Sequence, residues 1–404
     1  MSKLNELIRE LCPDGVEYLT LGQLGKFFGG LTGKSKSDFT DGNAAFITYR
    51  NVYANPALDT TPTEKVKIAA GENQRTLEYG DVIFTGSSET PDECGISSVV
   101  TTKPHEALYL NSFCFIFRFD DLSIIEPDYA KHLFRSTELR CQIGKTASGV
   151  TRYNVSKDKM AKVVIPVPPI EVQREIVRIL DKFTELSAEL SAELSERKKQ
   201  YEYYRHSLLA FGSDIPRIAL GDIGKVCMCK RIMKAQTSST GDVPFYKIGT
   251  FGKEPDAFIS QELFEEYKQK YNYPKKGDIL ISAAGTIGRT VVFDGEPSYF
   301  QDSNIVWLQH DGTIVTNKYL RYCYAMSPWH ISTGGTIARL YNDNITKAVI
   351  PVPPLEEQER IVTLLDRFDT LCNDLSSGLP AEIEARRKQY EYYRDKLLTF
   401  KPLA

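Results

Sequence analysis

The stretch GGLTGKS, from Gly29 to Ser35, combines the glycines, lysine and hydroxyl that bind nucleotide phosphates. A P-loop needs four residues between its first glycine and the Gly-Lys pair. Position 28 is Phe28, so the spacing is one residue short. The stretch therefore favours a polar loop in which Lys34 and Lys36 face a phosphate backbone over a nucleotide site.

No other set of residues has the spacing that catalysis or metal binding requires. The five histidines are isolated and no His-Glu-x-x-His occurs, which disfavours a zinc hydrolase. The Asn/Asp-Pro-Pro-Tyr/Phe tetrapeptide of amino-methyltransferases is absent, and no convincing nuclease motif is present. Cys227 and Cys229 would share one face of a strand, and they predict packing because no second ligand pair follows at zinc spacing. We expect neither a catalytic residue nor a metal site.

Bulk composition places the chain among ordinary globular proteins. Its 404 residues are 42% hydrophobic and 25% charged, which predicts two or three domains with substantial cores. No window approaches a membrane span, and the scattered cysteines suit a reducing compartment, so we expect a cytoplasmic protein without membrane association. The net charge of −3 does not indicate a nucleic-acid partner, although it allows a local basic face.

The strongest signal is an internal repeat. Residues 165–186 and 350–371 are identical at 13 of 22 positions, and residues 197–211 and 386–400 at 11 of 15. Both copies of the first segment open with IPVPP and continue with Glu-x-Gln, which predicts the end of a strand followed by a helix start. The repeat divides the chain into four predicted parts: a globular domain at 1–169, a helix at 170–212, a globular domain at 213–354 and a helix at 355–404.

The two helical tracts carry apolar residues at three- and four-residue steps, typical of a coiled-coil-like seam. About 40 residues at 1.5 Å each give roughly 60 Å of helix. The second tract should be broken near 376–380, where SSGLP interrupts it. We expect the two helices to pair antiparallel as a rod. The main seam residues are Ile176, Leu180, Phe183, Leu190, Leu194, Tyr201, Tyr204, Ile361, Leu365, Phe368, Tyr390 and Tyr393.

The globular domains predict an α/β (α+β) class rich in strands. Phe113, Phe115, Phe117 and Phe119 alternate as on one strand face, and GDILIS-AAGTIG-RTVVF predicts strand, turn and strand. The tracts 127–143 and 316–331 predict helices. Because the two domains share a layout but differ heavily in residues, they suit two different versions of one kind of target.

Polar residues in the predicted loops are of the types that contact phosphates and base edges. Solvated surface charge is the simpler alternative for each of them. Arg152 and Arg339 stand at matching places in the repeat by sequence, beside glycine and tyrosine. The candidates of the first domain are Lys34, Lys36, Arg50, Arg75, Ser87, Arg152 and Tyr153. Those of the second are Lys230, Arg231, Lys247, Arg289, Arg339, Tyr341 and Asn342.

The two IPVPP segments, GDILISAAGTIGR, GGTIARLYN and the helix tract SAELSAELSERKKQYEYYR resemble the specificity subunits of bacterial type I restriction-modification systems. The resemblance covers the whole chain. It implies that each globular domain recognises one half of a split, asymmetric site in double-stranded DNA. It also implies that the helices set the half-site spacing and dock two modification subunits. The first domain departs from the family's GTIG turn and has GSSET, from Gly86 to Thr90.

The resemblance further implies that chemistry belongs to the partners. Modification subunits would bring S-adenosylmethionine, and restriction (motor-nuclease) subunits would bring ATP-driven translocation and cleavage with Mg²⁺. This chain would bind none of these cofactors. Two alternatives remain: a structural coiled-coil adaptor without DNA binding, and a self-sufficient methyltransferase or nuclease.

Overall fold

The computed structural model describes residues 2–329 and 339–403. Residues 334–338 of the repeated motif GGTIARLYN lie outside that description, as do the last two residues of the predicted helix tract 316–331. The chain forms two units: unit 1 comprises Met1–Ser191 with Glu382–Ala404, and unit 2 comprises Ala192–Ala381. Both are mixed α/β and rich in short strands, so the predicted fold class is confirmed.

Unit 1 is built from short strands and helices around one antiparallel sheet. Its strands are β1 Glu17–Thr20, β2 Gly25–Gly29, β3 Ala44–Ile47, β4 Lys65–Val66, β5 Val82–Thr85, β6 Ser87–Ser88, β7 Ser97–Val99, β8 Tyr109–Leu110, β9 Cys114–Phe119, β10 Ala147–Ser148, β11 Tyr153–Val155 and β12 Val164–Val167. Its helices are α1 Ser2–Leu11, α2 Leu21–Leu24, α3 Tyr49–Ala54, α4 Pro127–Leu133, α5 Thr137–Gly144 and α6 Lys157–Met160. The main sheet has the order β2-β9-β5-β7, and smaller sheets have the orders β4-β3-β8, β10-β11-β6 and β1-β12.

Unit 2 repeats this plan. Its strands are β13 Arg217–Ala219, β14 Lys225–Cys227, β15 Val243–Tyr246, β16 Phe258–Ile259, β17 Ile279–Ser282, β18 Thr290–Val292, β19 Tyr299–Phe300, β20 Ile305–Gln309 and β21 Val349–Pro351. Its helices are α8 Leu220–Ile223, α9 Gln261–Lys270, α10 Asn317–Ala325, α11 Asn342–Thr346 and α12 Leu355–Asn373. The sheets β14-β20-β17-β18, β16-β15-β19 and β13-β21 correspond to three of those in unit 1.

Two helices cross the division between the units. Helix α7 runs over 40 residues, Ile170–Leu209, as its apolar periodicity predicts, and α13 is Leu379–Leu397. The second tract is not one helix, because α12 ends at Asn373 and Pro380 lies in the first turn of α13, where its missing N–H is harmless. Among the helices in 2–329 and 339–403, none has the length and apolarity that crossing a membrane requires.

The helices contribute to the core of each unit. In unit 1, Phe183 of α7 stacks on Tyr393 of α13 at 5.3 Å between ring centroids. In unit 2, Phe368 of α12 stacks on Tyr204 of α7 at 5.2 Å and lies beside Tyr201. Seam residues that are fully buried are Ile176, Leu180, Ile361 and Leu365. They are therefore core residues of their own unit, and a partner subunit could contact only the exposed faces of these helices.

The repeated Glu-x-Gln phrase has a structural role in both units. The Gln173 side chain is buried; its Nε2 donates to Ile124 O at 2.8 Å and Pro168 O at 2.7 Å, and its Oε1 accepts from Glu126 N at 2.8 Å. Gln358 makes the same three bonds in unit 2, to the carbonyls of residues 314 and 353 and the N–H of residue 316. Each glutamine thus joins the start of its long helix to the proline-rich segment and to the loop before α4 or α10.

Two local expectations are wrong. Phe113 lies before β9 and is 53% exposed, whereas Phe115, Phe117 and Phe119 face the core as expected. The tract 127–143 forms two helices, because the Ser136 side chain accepts from Leu139 N and starts α5. The strand before α7 ends inside IPVPP as expected, at Val167, one residue after Pro166. Pro166 itself pairs with Tyr18 inside β12, which is tolerated because β1-β12 is only a two-stranded edge.

Candidate nucleic-acid interface

In unit 1 the antiparallel order of the main sheet brings several loops to one end. Strand β2 ends beside the start of β9, and β5 ends beside the same start, so the segments that follow Gly29 and Thr85 meet the segment that precedes Cys114. Backbone hydrogen bonds join them: Leu31 N donates to Leu110 O and Gly86 N to Phe113 O, both at 2.7 Å. We call segments 30–36, 48–50, 86–90, 111–113 and 148–154 the loop end of unit 1.

Unit 2 has the same arrangement on the same scaffold. Ala283 N donates to Asn304 O at 2.7 Å, as Gly86 N does to Phe113 O. Leu340 N donates to Ala283 O at 2.8 Å, as Val155 N does to Gly86 O at 2.9 Å. We call segments 228–233, 247–252, 283–289, 301–304 and 339–342 the loop end of unit 2.

These hydrogen bonds correct one expectation from the sequence. Because Leu340 corresponds to Val155, Arg339 corresponds to Asn154 and not to Arg152. The sequence match between the two arginines is displaced by two positions. Each arginine still lies at its own loop end, where Arg152 Nη2 donates to Ser87 Oγ at 3.0 Å and Arg339 Nη2 donates to Ser303 O at 2.8 Å.

Both loop ends are cationic although the chain as a whole is acidic. The loop end of unit 1 contains four Lys or Arg residues, of which Lys34 is paired with Glu72, and one carboxylate, Glu89. That of unit 2 contains five Lys or Arg residues, of which Lys247 is paired with Asp256, and one carboxylate, Asp302. Asp302 lies 3.8 Å from Arg231, so part of its charge is offset. A local excess of cations on one face is the electrostatic footprint of a polyanion-binding surface.

The structure places the candidate residues of unit 1 at or beside this end. They differ in how exposed they are and in whether other residues of the protein already bind their side chains. Lys34 is held by Lys67 O at 2.6 Å and by Glu72, and its side chain is only 9% exposed. The lysine ammonium lowers the pKa of Glu72 to about 2. Ser87 is buried, whereas Lys36, Arg50 and Arg152 are exposed and Tyr153 is half-buried. Arg75 lies over the Phe28 ring, 3.8 Å from its centroid, next to the loop end.

The candidates of unit 2 also gather at its loop end. Lys230 and Arg231 follow β14, and Lys247 follows β15 with its Nζ 2.8 Å from Asp256. The Arg289 Nη1 donates to Phe251 O at 3.0 Å. Tyr341 and Asn342 are exposed at the start of α11.

Cys227 and Cys229 are both buried in an apolar cluster of unit 2, and burial raises the pKa of the Cys229 thiol to about 12. Within the described part of the chain, no three His, Cys, Asp or Glu side chains are grouped so that they could hold a metal ion.

Sequence reasoning missed two residues of the unit 1 loop end, Glu89 and Phe113. Both line an open cleft together with Tyr49 and Arg152. The sequence could have indicated Glu89, because this residue lies in GSSET, the segment that replaces the family's GTIG turn. The sequence pattern at Phe113 was misleading: Phe113 alternates with the next three phenylalanines as on one strand face, and this alternation favoured a core position.

The two units share one fold, and each has a cationic loop end. The chain is therefore a repeat protein with two surfaces of the kind that binds polyanions. The model of the type I restriction modification DNA specificity domain matches residues 13–197 and 213–385. The chain belongs to that family and carries two copies of its domain.

Curated relatives agree. A putative type I restriction enzyme specificity subunit of Haemophilus influenzae is 60% identical over 261 residues, which span 63% of this chain and 68% of that protein. The EcoR124I/EcoR124II specificity subunit of Escherichia coli is 35% identical over 266 residues, 61% of this chain and 65% of that subunit, which is less than two thirds of its length. A chain from a structural study of the assembly and conformational transition of the type I R-M system has a TM-score of 0.66 at 19% identity, covering 96% of this chain and 98% of that chain, and so shares the fold.

Proposed function

We propose that each loop end recognises one half of a split, asymmetric site in double-stranded DNA, as the DNA-recognition subunit of a type I restriction-modification complex. The observation that carries the proposal is that the two loop ends use the same backbone contacts but present different side chains. One scaffold with two side-chain sets suits two half-sites of different sequence. Cationic residues would bind phosphates and the remaining polar residues would contact base edges.

We place the docking of two modification subunits on the exposed faces of the long helices. Tyr203 and Tyr392 occupy equivalent positions of the repeated YEYYR segments and are 69% and 61% exposed. Exposed aromatic side chains are enriched at the centres of protein interfaces. Two equivalent tyrosines would give two equivalent docks, one on α7 and one on α13.

We assign catalysis to the partner subunits and none to this chain. Modification subunits would supply S-adenosylmethionine, and restriction subunits would supply ATP-driven translocation and Mg²⁺-dependent cleavage. Family membership supports this division of labour. Specific binding of S-adenosylmethionine or Mg²⁺ by the isolated chain would contradict it and favour a self-sufficient enzyme.

Exchange of a whole recognition domain in the reconstituted complex tests the proposal. The segment to replace with that of a relative is 17–167, because it begins with β1 and ends with its partner β12, so both paired strands move together. Mapping of methylated sites should show one half-site changed and the other retained. The matched exchange of 217–351 should change the other half only. If both halves changed together, or if DNA binding did not depend on salt, the proposal would be wrong and a structural adaptor would be favoured.

A further inference from the structure

The loop end of unit 1 contains an open cleft of about 800 Å³ whose lining mixes one arginine, two carboxylates (Glu89 and Glu93) and exposed apolar groups. Arg152 and Glu89 line it, and so do Phe113 and Val150, which are 53% and 91% exposed. Exposed apolar residues beside a cation and an anion are the composition of a surface that contacts flat, polar-edged ligands such as bases.

Arg152 is held so that part of its guanidinium remains available. Its Nε and Nη2 donate to Ser87 Oγ at 3.3 and 3.0 Å, and the guanidinium carbon lies 5.5 Å from the centroid of the Phe113 ring. These contacts use the side edge of the guanidinium. Among the described residues, the N–H groups at its end have no other partner, and that pair of donors matches O6 and N7 of guanine.

Glu89 lies in a turn whose backbone is fixed by its neighbours. The Ser88 Oγ donates to Glu93 at 3.1 Å and accepts from Thr90 N at 3.3 Å, and Tyr53 donates to Glu93 at 2.9 Å. Donation from Tyr53 and Ser88 lowers the pKa of Glu93, so that carboxylate is ionised and occupied by the protein. The Glu89 side chain is exposed, and among the described residues it has no hydrogen-bond or ion-pair partner.

Phosphates repel a carboxylate that lies at a DNA-facing loop end. We therefore expect a hydrogen-bond donor of the DNA to offset this repulsion. Exocyclic amines on base edges are the donors that DNA offers. Cytosine N4 suits a carboxylate better than adenine N6, because the N7 acceptor next to adenine N6 would repel it.

We propose that Glu89 and Arg152 form a base-reading pair in unit 1, in which Glu89 accepts from N4 of a cytosine and Arg152 donates to O6 and N7 of a guanine in the same or a neighbouring base pair. This inference rests on the proposed function and assigns the base chemistry of one half-site. In unit 2 the turn from Ala283 to Gly288, which corresponds to the turn from Gly86 to Gly95, is four residues shorter and contains no carboxylate. The second half-site is therefore not read by a carboxylate at this position.

The test uses the complete complex with its modification subunits and a randomised library of sites, read out as methylation frequency at every base position. Glu89→Ala should reduce discrimination at one cytosine of a single half-site by about tenfold or more. Arg152→Ala should relax a guanine in that same half-site, in the same or the adjacent pair. Glu106→Ala is the matched control: Glu106 is exposed in the segment before β8, at the opposite end of unit 1, and its replacement should leave all preferences unchanged.

Unchanged base preference in Glu89→Ala, or relaxation at a position that is not cytosine, would overturn the inference while leaving a split site, and hence the proposed function, intact. If Glu89→Ala lost all methylation, Glu89→Gln and Glu89→Thr decide. If Glu89→Gln or Glu89→Thr methylates DNA with an altered base preference at one position, the base-reading pair is supported. If all three variants lose methylation equally, Glu89 has a structural role and the inference is overturned. If the unaltered complex methylated no split sequence, the proposed function itself would fail.

Discussion

At the scale of residues, the side chains of the loop ends divide into those that the protein already holds and those that are exposed to solvent. Lys34 and Lys36 show the difference two residues apart. Lys34 is neutralised by Glu72 and donates to a backbone carbonyl, whereas Lys36 is exposed. A cation that is already paired releases few counterions when it approaches DNA, so residue type alone does not identify phosphate ligands.

We therefore predict that Lys36→Ala weakens DNA binding by the complex similarly for all sequences and reduces the slope of log affinity against log salt by about 0.9. Lys34→Ala is the matched control, and it should leave the slope unchanged. Affinity titrations at several salt concentrations measure both. An unchanged slope in Lys36→Ala would remove Lys36 from the interface.

A buried histidine in unit 1 should make that unit sensitive to acid. His132 is 1% exposed; its Nε2 lies 2.8 Å from Asp181 Oδ1 and its Nδ1 lies 2.9 Å from Tyr390 Oη. Burial lowers the pKa of His132, and Lys131 adds to this, against the opposing effects of Asp181 and Asp128. The folded state therefore favours the neutral imidazole, and the unfolded chain takes up the proton first.

We predict that unit 1 loses stability as the pH falls through the ordinary histidine pKa of 6.5. The lowered pKa of Asp181 acts only at more acidic pH. His132→Tyr should remove the dependence, because unit 2 has Tyr322 at this place, where its hydroxyl donates to Asp366. Hydrogen exchange in α4 and α13 between pH 7.5 and 5 measures the effect. Equal pH dependence in the variant would show that another group titrates.

At the scale of elements, the start of each long helix depends on one buried amide. The Gln173 side chain satisfies two carbonyls and one N–H that would otherwise be buried without partners. Glutamine fits because its amide donates and accepts at once, which neither leucine nor glutamate can do. This requirement explains why the phrase after IPVPP keeps its glutamine in both copies.

We predict that Gln173→Leu lowers the free energy of unfolding of unit 1 by about 3 kcal/mol, since each buried group left unpaired costs about 1–3 kcal/mol. Gln358→Leu should act similarly on unit 2. Gln200→Leu, at an exposed site of α7, is the control and should change little. Denaturant titration followed by hydrogen exchange assigns each loss of stability to its unit. An unchanged free energy of unfolding in Gln173→Leu would contradict the structural role of the Gln173 amide.

At the scale of the whole molecule, the tandem SAELSAEL, from Ser187 to Leu194, coincides with the division between the units after Ser191. Both copies make the same local contact: Ser187 Oγ donates to Phe183 O at 2.9 Å and Ser191 Oγ to Ser187 O at 2.8 Å. Leu190 and Leu194 are half-buried, one four-residue step apart. One copy could therefore be lost without interrupting the helix or its seam.

We predict that deletion of residues 191–194 shortens α7 by about 6 Å and rotates one end against the other by about 40°. At about 3.4 Å per base pair, the unread gap between half-sites should shrink by about one or two base pairs. The half-site sequences should stay the same because no loop end is altered. Methylated sites of the reconstituted complex measure the gap, and an unchanged gap would show that α7 does not set the spacing.

The sequence by itself determined the features that depend on neighbours along the chain. The repeat, the α/β class, the 40-residue helix and its apolar seam all follow from local periodicity and from two copies of one phrase. The end of α12 was also visible, because glycine and proline act on the backbone of their own turn. Family membership followed from motifs of this contiguous kind.

Tertiary structure decided which residues the loop ends present. Lys34 is neutralised by Glu72, a residue 38 positions away, and Arg152 is held by Ser87, 65 positions away. Arg339 corresponds to Asn154 and not to Arg152, a register that only backbone hydrogen bonds between distant segments could show. Contacts of this kind depend on how strands pair across long sequence separations, and one sequence contains no local signal for that pairing.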